Sequence, residues 1–337
     1  MTGQQGNDMG LSRTASDPMP HAPGELTVLL ARLADPDAPA PVIRETERAA
    51  LLALAQPHGV ENILWRKFGA DIDAPGGAET LNRVGQAMLL EGLRHEISAA
   101  LTASGVPACV VKGPVFSERL YRIRSDRLFS DIDLLVDPAR MDEALGVLAG
   151  LGYVLPEKLW DNSRRDMEYK FQHPQHPTVL IELHGDLVHY PLLRRRASFG
   201  LDALLAAGDG DGTAPAALLA TAIVHATMGH KLDRLVMLVD VLQAVRHLPS
   251  EDVDRTIAVL TRLRLELECA VCLSAVARLF GDGAAAGLAA RFRPGMRARL
   301  GRLLVSPKTI VHAQGDGYRL RSWCRRKTFR LLQRLPL

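Results

Sequence analysis

Cysteine is scarce in this 337-residue chain: Cys109, Cys269, Cys272 and Cys324 are the only four. They follow no regular spacing, which excludes a disulfide-framework protein and points to a reducing compartment, here read as the cytoplasm. Long apolar runs are missing too. None approaches the ~18–20 residues that a bilayer-spanning helix needs, so no transmembrane segment is expected. Residues 1–24 are rich in Gly, Ser, Pro, Asp and Gln without the apolar stretch of a secretory signal, and they read as a disordered tail. Charge of one sign is not in strong excess either. The 41 Lys and Arg against 38 Asp and Glu give a net charge of +3 and a pI near 8.7, too mild for nucleic-acid binding by bulk electrostatics. What is abundant is apolar residue, 47% of the chain against 23% charged, enough to bury a full core in two packed subdomains.

Periodicity divides the chain. Residues 25–104 form an N-terminal helical region: Leu26, Leu29, Leu30 and Leu33 share a stripe, and Leu89, Leu93, Ile97 and Ala100 recur at helical spacing in a long amphipathic segment at about 78–103. The character changes at Gly105-Val106-Pro107. A buried strand follows at Ala108-Cys109-Val110-Val111, then a helix after Pro114, a second strand from Asp131 to Val136, and a helix from Ala139 to Leu151 closed by Gly152. The alternating segment Met167 to Gln172, a loop with Pro174 and Pro177, and the strand Val179 to His184 read as a hairpin. Residues 105–190 are therefore a mixed core. Residues 191–310 read as a helical bundle with breaks near Pro249 and Gly281, and 311–337 as a basic C-terminal segment.

The most informative stretch is Ser130-Asp131-Ile132-Asp133-Leu134-Leu135-Val136. A strand sends alternate side chains to opposite faces, so Ile132, Leu134 and Val136 share one face and Asp131 and Asp133 the other. Two carboxylates at i and i+2 repel each other unless water or a cation compensates. The same parity in the later strand sets Val179, Ile181 and Leu183 apart from Leu180, Glu182 and His184. Glu182 is thus a third carboxylate in an apolar strand. Three oxygen donors on one sheet face suit a hard cation, Mg²⁺ or Mn²⁺ and not Zn²⁺. The competing reading is a solvated strand face.

Phosphate needs partners of its own. Lys112-Gly113 sits where the first strand turns into a helix, a place that favours anions, and Arg124 is the preferred phosphate ligand among Arg119, Arg122, Arg124 and Arg127. The alternatives are a common Lys-Gly turn and a surface arginine.

These residues resemble the nucleotidyltransferase superfamily that includes DNA polymerase beta, marked by a glycine turn, an Asp-hydrophobic-Asp strand and a third carboxylate on a later strand. The segments Val111-Lys112-Gly113, Arg124, Ser130 to Val136 and Ile181-Glu182-Leu183-His184 are more closely similar to a bacterial subgroup usually named uncharacterised nucleotidyltransferases, over about 105–245. His225, Arg234-Leu235 and Asp240 also match that subgroup. Pro114 stands where the wider superfamily carries a glycine or serine, the stretch before Asp131 is longer, and Gly185 replaces an aromatic residue. The resemblance implies an α+β fold: a nucleotidyltransferase-like small mixed β-sheet with helices, flanked here by the N-terminal helical region and the C-terminal bundle. It implies transfer of a nucleoside monophosphate from a nucleoside triphosphate (NTP) to a hydroxyl or phosphate acceptor, with pyrophosphate released. Asp131, Asp133 and Glu182 would be the catalytic metal ligands, and Lys112, Gly113, Arg124 and Ser130 the nucleotide-binding set. The acceptor stays open among a small molecule, a peptide and RNA. A non-catalytic nucleotide- or peptide-binding module and a phosphoryl transferase are the rival functions.

Other features divide between function and packing. His184, His225 and Asp240 are candidates for acceptor contact or for supporting the carboxylates, with a strand-end hydrogen bond (His184) or a buried ion pair to a residue such as Arg234 (Asp240) as the packing alternatives. His225 and His230 lack the spacing of a zinc motif. Cys269 and Cys272 lie in a helical period and read as core. The segment Arg319 to Arg334, with Trp323, Phe329 and Leu331, reads as a basic helix packed by its apolar side, or as a weak contact to an anionic surface.

Overall fold

A computed structural model describes residues 23–69, 77–156, 167–292, 295–312 and 319–335. Most of the tail at 1–24 lies outside the described residues. Four strands form the sheet: β1 (Ala108–Val111), β2 (Asp131–Val136), β3 (Glu168–His173) and β4 (His176–His184), in the order β1-β2-β4-β3. The β1–β2 and β3–β4 pairs are antiparallel, while β2 and β4 run parallel, so the sheet is mixed and the fold α+β.

Strand parity decides what each sheet face does. Ile132, Leu134 and Val136 of β2, Val179, Ile181 and Leu183 of β4, and Tyr169 and Phe171 of β3 form one apolar face. They bury it against Leu90, Ile97 and Leu101 of the long helix α4 (Gly77–Ala103) and against Met141, Ala144 and Leu148 of α6 (Met141–Gly150). The opposite face carries the carboxylates. Between β1 and β2 the chain forms α5 (Gly113–Leu120).

Two boundaries differ from expectation for local reasons. The hairpin turn is tighter, because β4 starts at His176 and takes in Pro177. That proline precedes Leu180, where pairing with β2 begins, and lies beside an irregularity at Gln172/His173, so it interrupts no central ladder. Helix α6 is preceded by a 3₁₀ turn, Pro138–Arg140, capped by the Asp137 carboxylate accepting from the Ala139 N–H at 2.8 Å. Gly152 follows it at φ +88°.

The N-terminal region does not stand apart. Helices α1 (Pro23–Ala34), α2 (Glu45–Ala55) and α3 (Glu61–Phe68) are too short to bury their apolar stripes alone, and Leu30, Leu33, Leu51 and Ile63 join the core of the bundle. Only α4 belongs to the sheet. The bundle continues through α7 (Pro191–Arg194), α8 (Leu201–Ala207) and α9 (Pro215–Val224), whose end passes into a π-helical turn, His225–Gly229. Then come α10 (Leu235–Arg246), α11 (Val253–Arg262), α12 (Glu266–Phe280), α13 (Gly283–Arg291), α14 (Met296–Leu304), α15 (Pro307–Val311) and α16 (Arg319–Arg334). No helix among the described residues is long and apolar enough to cross a membrane.

Candidate active site

The parallel register sets Asp133 opposite Glu182, Asp131 opposite Leu180 and Leu135 opposite His184. Across the hairpin, Lys170 stands opposite Glu182 and Glu168 opposite His184. One face of the sheet thus gathers the three expected carboxylates with Lys170, Glu168 and His184, and it opens into a cleft of about 320 Å³ between sheet and helices.

Asp133 is the hub. Its Oδ1 accepts from Lys112 Nζ and from His184 Nε2, each at 2.7 Å. His184 Nε2 also lies 3.6 Å from Glu182 Oε2, and ligand atoms of Asp133, Glu182 and His184 all fall within 4.8 Å of one another. Lys170 donates to Glu182 and stands 3.1 Å from Glu168, whose other oxygen is 3.5 Å from His189 Nδ1. The His184 and His189 rings stack at 4.8 Å. Asp131 is different: no hydrogen bond or ion pair reaches it among the described residues.

The charges follow from these contacts. Burial pushes the Asp133 carboxyl up, but Lys112 and His184 outweigh it and hold the group far below the usual range. Asp131 is raised by burial and by the neighbouring Asp133 charge. Glu182 is raised by burial and Asp133, against His184 and Lys170. Burial, with Lys112 next, holds His225 well below its ordinary value, and burial with His184 takes His189 down to about 3. The cleft therefore holds His189 and His225 as neutral imidazoles near two carboxylates, Asp133 and Glu182, that ammonium groups compensate.

The Lys112-Gly113 turn has a steric logic. Lys112 adopts φ +58°, a region that non-glycine residues rarely enter, and its carbonyl accepts from the Phe116 N–H at 2.7 Å to open α5. A Cβ at Gly113 would lie 2.8 Å from Phe129 Cβ, so only glycine fits. Pro114 occupies the first turn of α5, where a missing N–H is no loss. The long stretch before Asp131 delivers Arg127 to the cleft.

The other predicted residues separate. Lys112, Gly113, Ser130 and His225 line the cleft with the carboxylates. Arg124 does not: it sits in a 3₁₀ turn, 64% exposed, 3.9 Å from Glu118. Asp240 is fully buried, and its partner is Arg127, not Arg234. Arg127 donates from Nε at 2.8 Å and from Nη2 at 3.0 Å, and the Tyr121 hydroxyl donates at 2.7 Å. His225 stands on the π-helical turn, edge-on to His230 at 4.8 Å, with its Nδ1 buried and unpaired. Such turns recur at functional sites. Cleft-lining residues that the sequence alone did not mark are Arg83, Glu168, Lys170 and His189, while Arg127, noted there only beside the preferred Arg124, and Arg234, noted only in the Arg-Leu match and as a possible partner of Asp240, line it as well. For Glu168 and Lys170 the signal existed, because hairpin parity puts them on the Glu182 face.

The remaining motifs resolve as packing. Cys269 and Cys272 are buried in α12, and all four cysteines are free. In α16, Phe329 is buried while Trp323 and Leu331 are exposed, and Arg325, Arg326 and Arg330 contact the body of the protein.

A small mixed sheet with an Asp-Ile-Asp strand beside a glutamate strand, opening on a lysine- and arginine-lined cleft, defines a nucleotidyltransferase-type core. Residues 44–281, from the N-cap of α2 to the C-cap of α12, match the family described as uncharacterised nucleotidyltransferase, and the chain belongs to that family. No curated protein and no solved structure matches the chain.

Proposed function

We propose that the protein transfers a nucleoside monophosphate from an NTP to a hydroxyl or phosphate acceptor, with Asp131, Asp133 and Glu182 holding Mg²⁺ or Mn²⁺. An acceptor oxygen attacks the α-phosphorus, the bond from that phosphorus to the bridging oxygen breaks, and pyrophosphate leaves. What carries the reading is Asp131: a carboxylate left without a partner beside two others, in a cleft, is charge awaiting a cation. The donor set, carboxylate oxygens without thiolate, fits a hard ion. Such ions, when bound, neutralise the triphosphate and lower the pKa of the acceptor group.

The chain's own residues supply the rest. Lys112 and Lys170 compensate Asp133 and Glu182 with ammonium groups on flexible stems, which a cation can displace. Lys112 and Gly113, with Ser130, border the triphosphate. His184 fixes the Asp133 carboxylate from a fully buried position.

Incubation with labelled ATP, CTP, GTP and UTP, Mg²⁺ and cell extract tests the proposal by locating the species that acquires label. Pyrophosphate should accumulate; a nucleoside diphosphate as co-product would indicate phosphoryl transfer instead. Asp131→Asn and Glu182→Gln should each abolish labelling with circular dichroism unchanged, and wild-type turnover in either variant would sink the metal-site assignment.

A further inference from the structure

Three guanidinium groups line the cleft from its helical side: Arg83 of α4, Arg127 from the loop before β2, and Arg234 at the N-cap of α10. Like charges gathered in a half-buried place need counter-charges. Two of the three have them. Arg127 uses Nε and Nη2 on Asp240 and Nη1 on the Leu128 carbonyl at 2.6 Å, so each of its three nitrogens is already engaged and its charge is met. Arg83 pairs with Glu61. Arg234 has neither a hydrogen bond nor an ion pair among the described residues, and its Nε is buried without a partner.

The backbone makes room for this side chain. Gly59 runs at φ +70°, and a Cβ there would lie 2.9 Å from Arg234 Nη2 and 3.3 Å from Val236 Cγ1. Val236 and Met237, the first turn of α10, line the same cleft, so the positive end of a 12-residue helix adds to the field. Burial, and after it the charge of Arg127, makes the protonated Arg234 side chain harder to hold, with Asp131 and Asp240 only partly offsetting them. His230, pushed down to about 4 by burial, Lys112 and Arg234, contributes no further positive charge at neutral pH.

We infer that Arg234 is the docking point for the terminal phosphates of the triphosphate, the portion that departs as pyrophosphate, while Lys112 and Gly113 serve the phosphate nearest the carboxylates. The inference rests on the nucleotidyl-transfer reading of this cleft. It replaces Arg124, which lies outside the cleft lining, with an arginine whose planar fork is free to engage phosphate oxygens in pairs.

Calorimetry on the full chain with inorganic tripolyphosphate, ATP and AMP tests it without requiring turnover. Arg234→Gln should weaken tripolyphosphate binding by about tenfold or more, the scale of one lost charge-assisted pair, and should weaken ATP far more than AMP. Arg124→Gln should change none of the three. Unaltered tripolyphosphate affinity in Arg234→Gln, or equal losses for ATP and AMP, overturns the assignment. Protection against an arginine-selective reagent, read by peptide mass spectrometry on the wild-type chain, decides the matter even if the variant fails to fold. Tripolyphosphate should shield Arg234 and leave Arg124 reactive; an unshielded Arg234 refutes the inference. Shielding without any nucleotidyl transfer would instead sink the reaction and spare the phosphate site.

Discussion

Asp131 shows how one side chain can oppose stability and serve a site. Burial and the Asp133 charge both raise its pKa, so keeping it ionised without a cation destabilises the fold. Asp131→Asn keeps the shape and removes the charge. In divalent-free buffer it should raise stability by about 1 kcal/mol, while the Mg²⁺-induced rise in Tm expected of the wild type disappears; differential scanning fluorimetry reads both. Gly113 tests the neighbouring turn. A methyl there collides with Phe129 Cβ at 2.8 Å, and Gly113→Ala should lose roughly 1–3 kcal/mol by overpacking. Adding Phe129→Gly, which removes the colliding Cβ, should recover part of that loss, so the double variant is less destabilised than the sum of the singles. At this scale the sequence showed the carboxylates, because strand parity alone assigns Asp131, Asp133 and Glu182 to their faces. It did not show that Arg127 and Arg234 reach the cleft and Arg124 does not. Those three arginines differ in the loop path that carries them, which no local period encodes.

Elements are joined by a histidine as well as by apolar contact. His58 ends the 3₁₀ turn after α2, donates from Nε2 to the Val311 carbonyl of α15 at 2.8 Å, and accepts at Nδ1 from the Leu235 N–H of α10 at 3.3 Å. Only the neutral ring with its proton on Nε2 satisfies both bonds. Burial takes its pKa from 6.5 down to about 4, opposed in part by the Val311 carbonyl. A depressed folded-state pKa means that the unfolded chain binds the proton first as pH falls. The contribution is therefore complete above about pH 6.5 and is lost between there and about pH 4, up to about 3 kcal/mol for this one group. Urea unfolding at pH 7 and pH 4.5 should show His58→Gln less stable at pH 7 but with a shallower fall between the two. A parallel fall in both proteins would refute this role. Element faces were readable from period, as in the apolar faces of β2 and β4. Element partners were not: nothing in the stripe of α1 says that Leu30 and Leu33 will pack with the bundle rather than with α4.

Across the whole molecule, α16 braces the cleft from outside the segment that matches the family. Arg325 donates to the carbonyls of Lys231 and Leu232 at 3.0 and 3.1 Å and pairs with Asp233, and Arg330 donates to the Met228 carbonyl at 2.9 Å. The stretch so held needs bracing, since Lys231 and Leu232 both run at positive φ, 56° and 61°. It also joins the two parts of the cleft's helical side, the turn bearing His225 and His230 and the residue Arg234. Phe329, fully buried, and Gln333, donating to the buried Glu268 at 2.9 Å, fix α16 on the body, so the brace has a rigid base. Arg325→Ala should cost roughly 3 kcal/mol, because it takes the guanidinium donor from two carbonyls and removes one of the arginines that pair with Asp233. It should also weaken ATP binding several-fold by freeing the Arg234 backbone, although Arg325 is no part of the cleft lining. Arg326→Ala provides the contrast: it meets the same Asp233 at 3.2 Å but neither carbonyl. That variant should stay near wild type in both Tm and calorimetric affinity, and equal ATP losses in the two variants would show that charge on α16, not the carbonyl brace, governs the cleft.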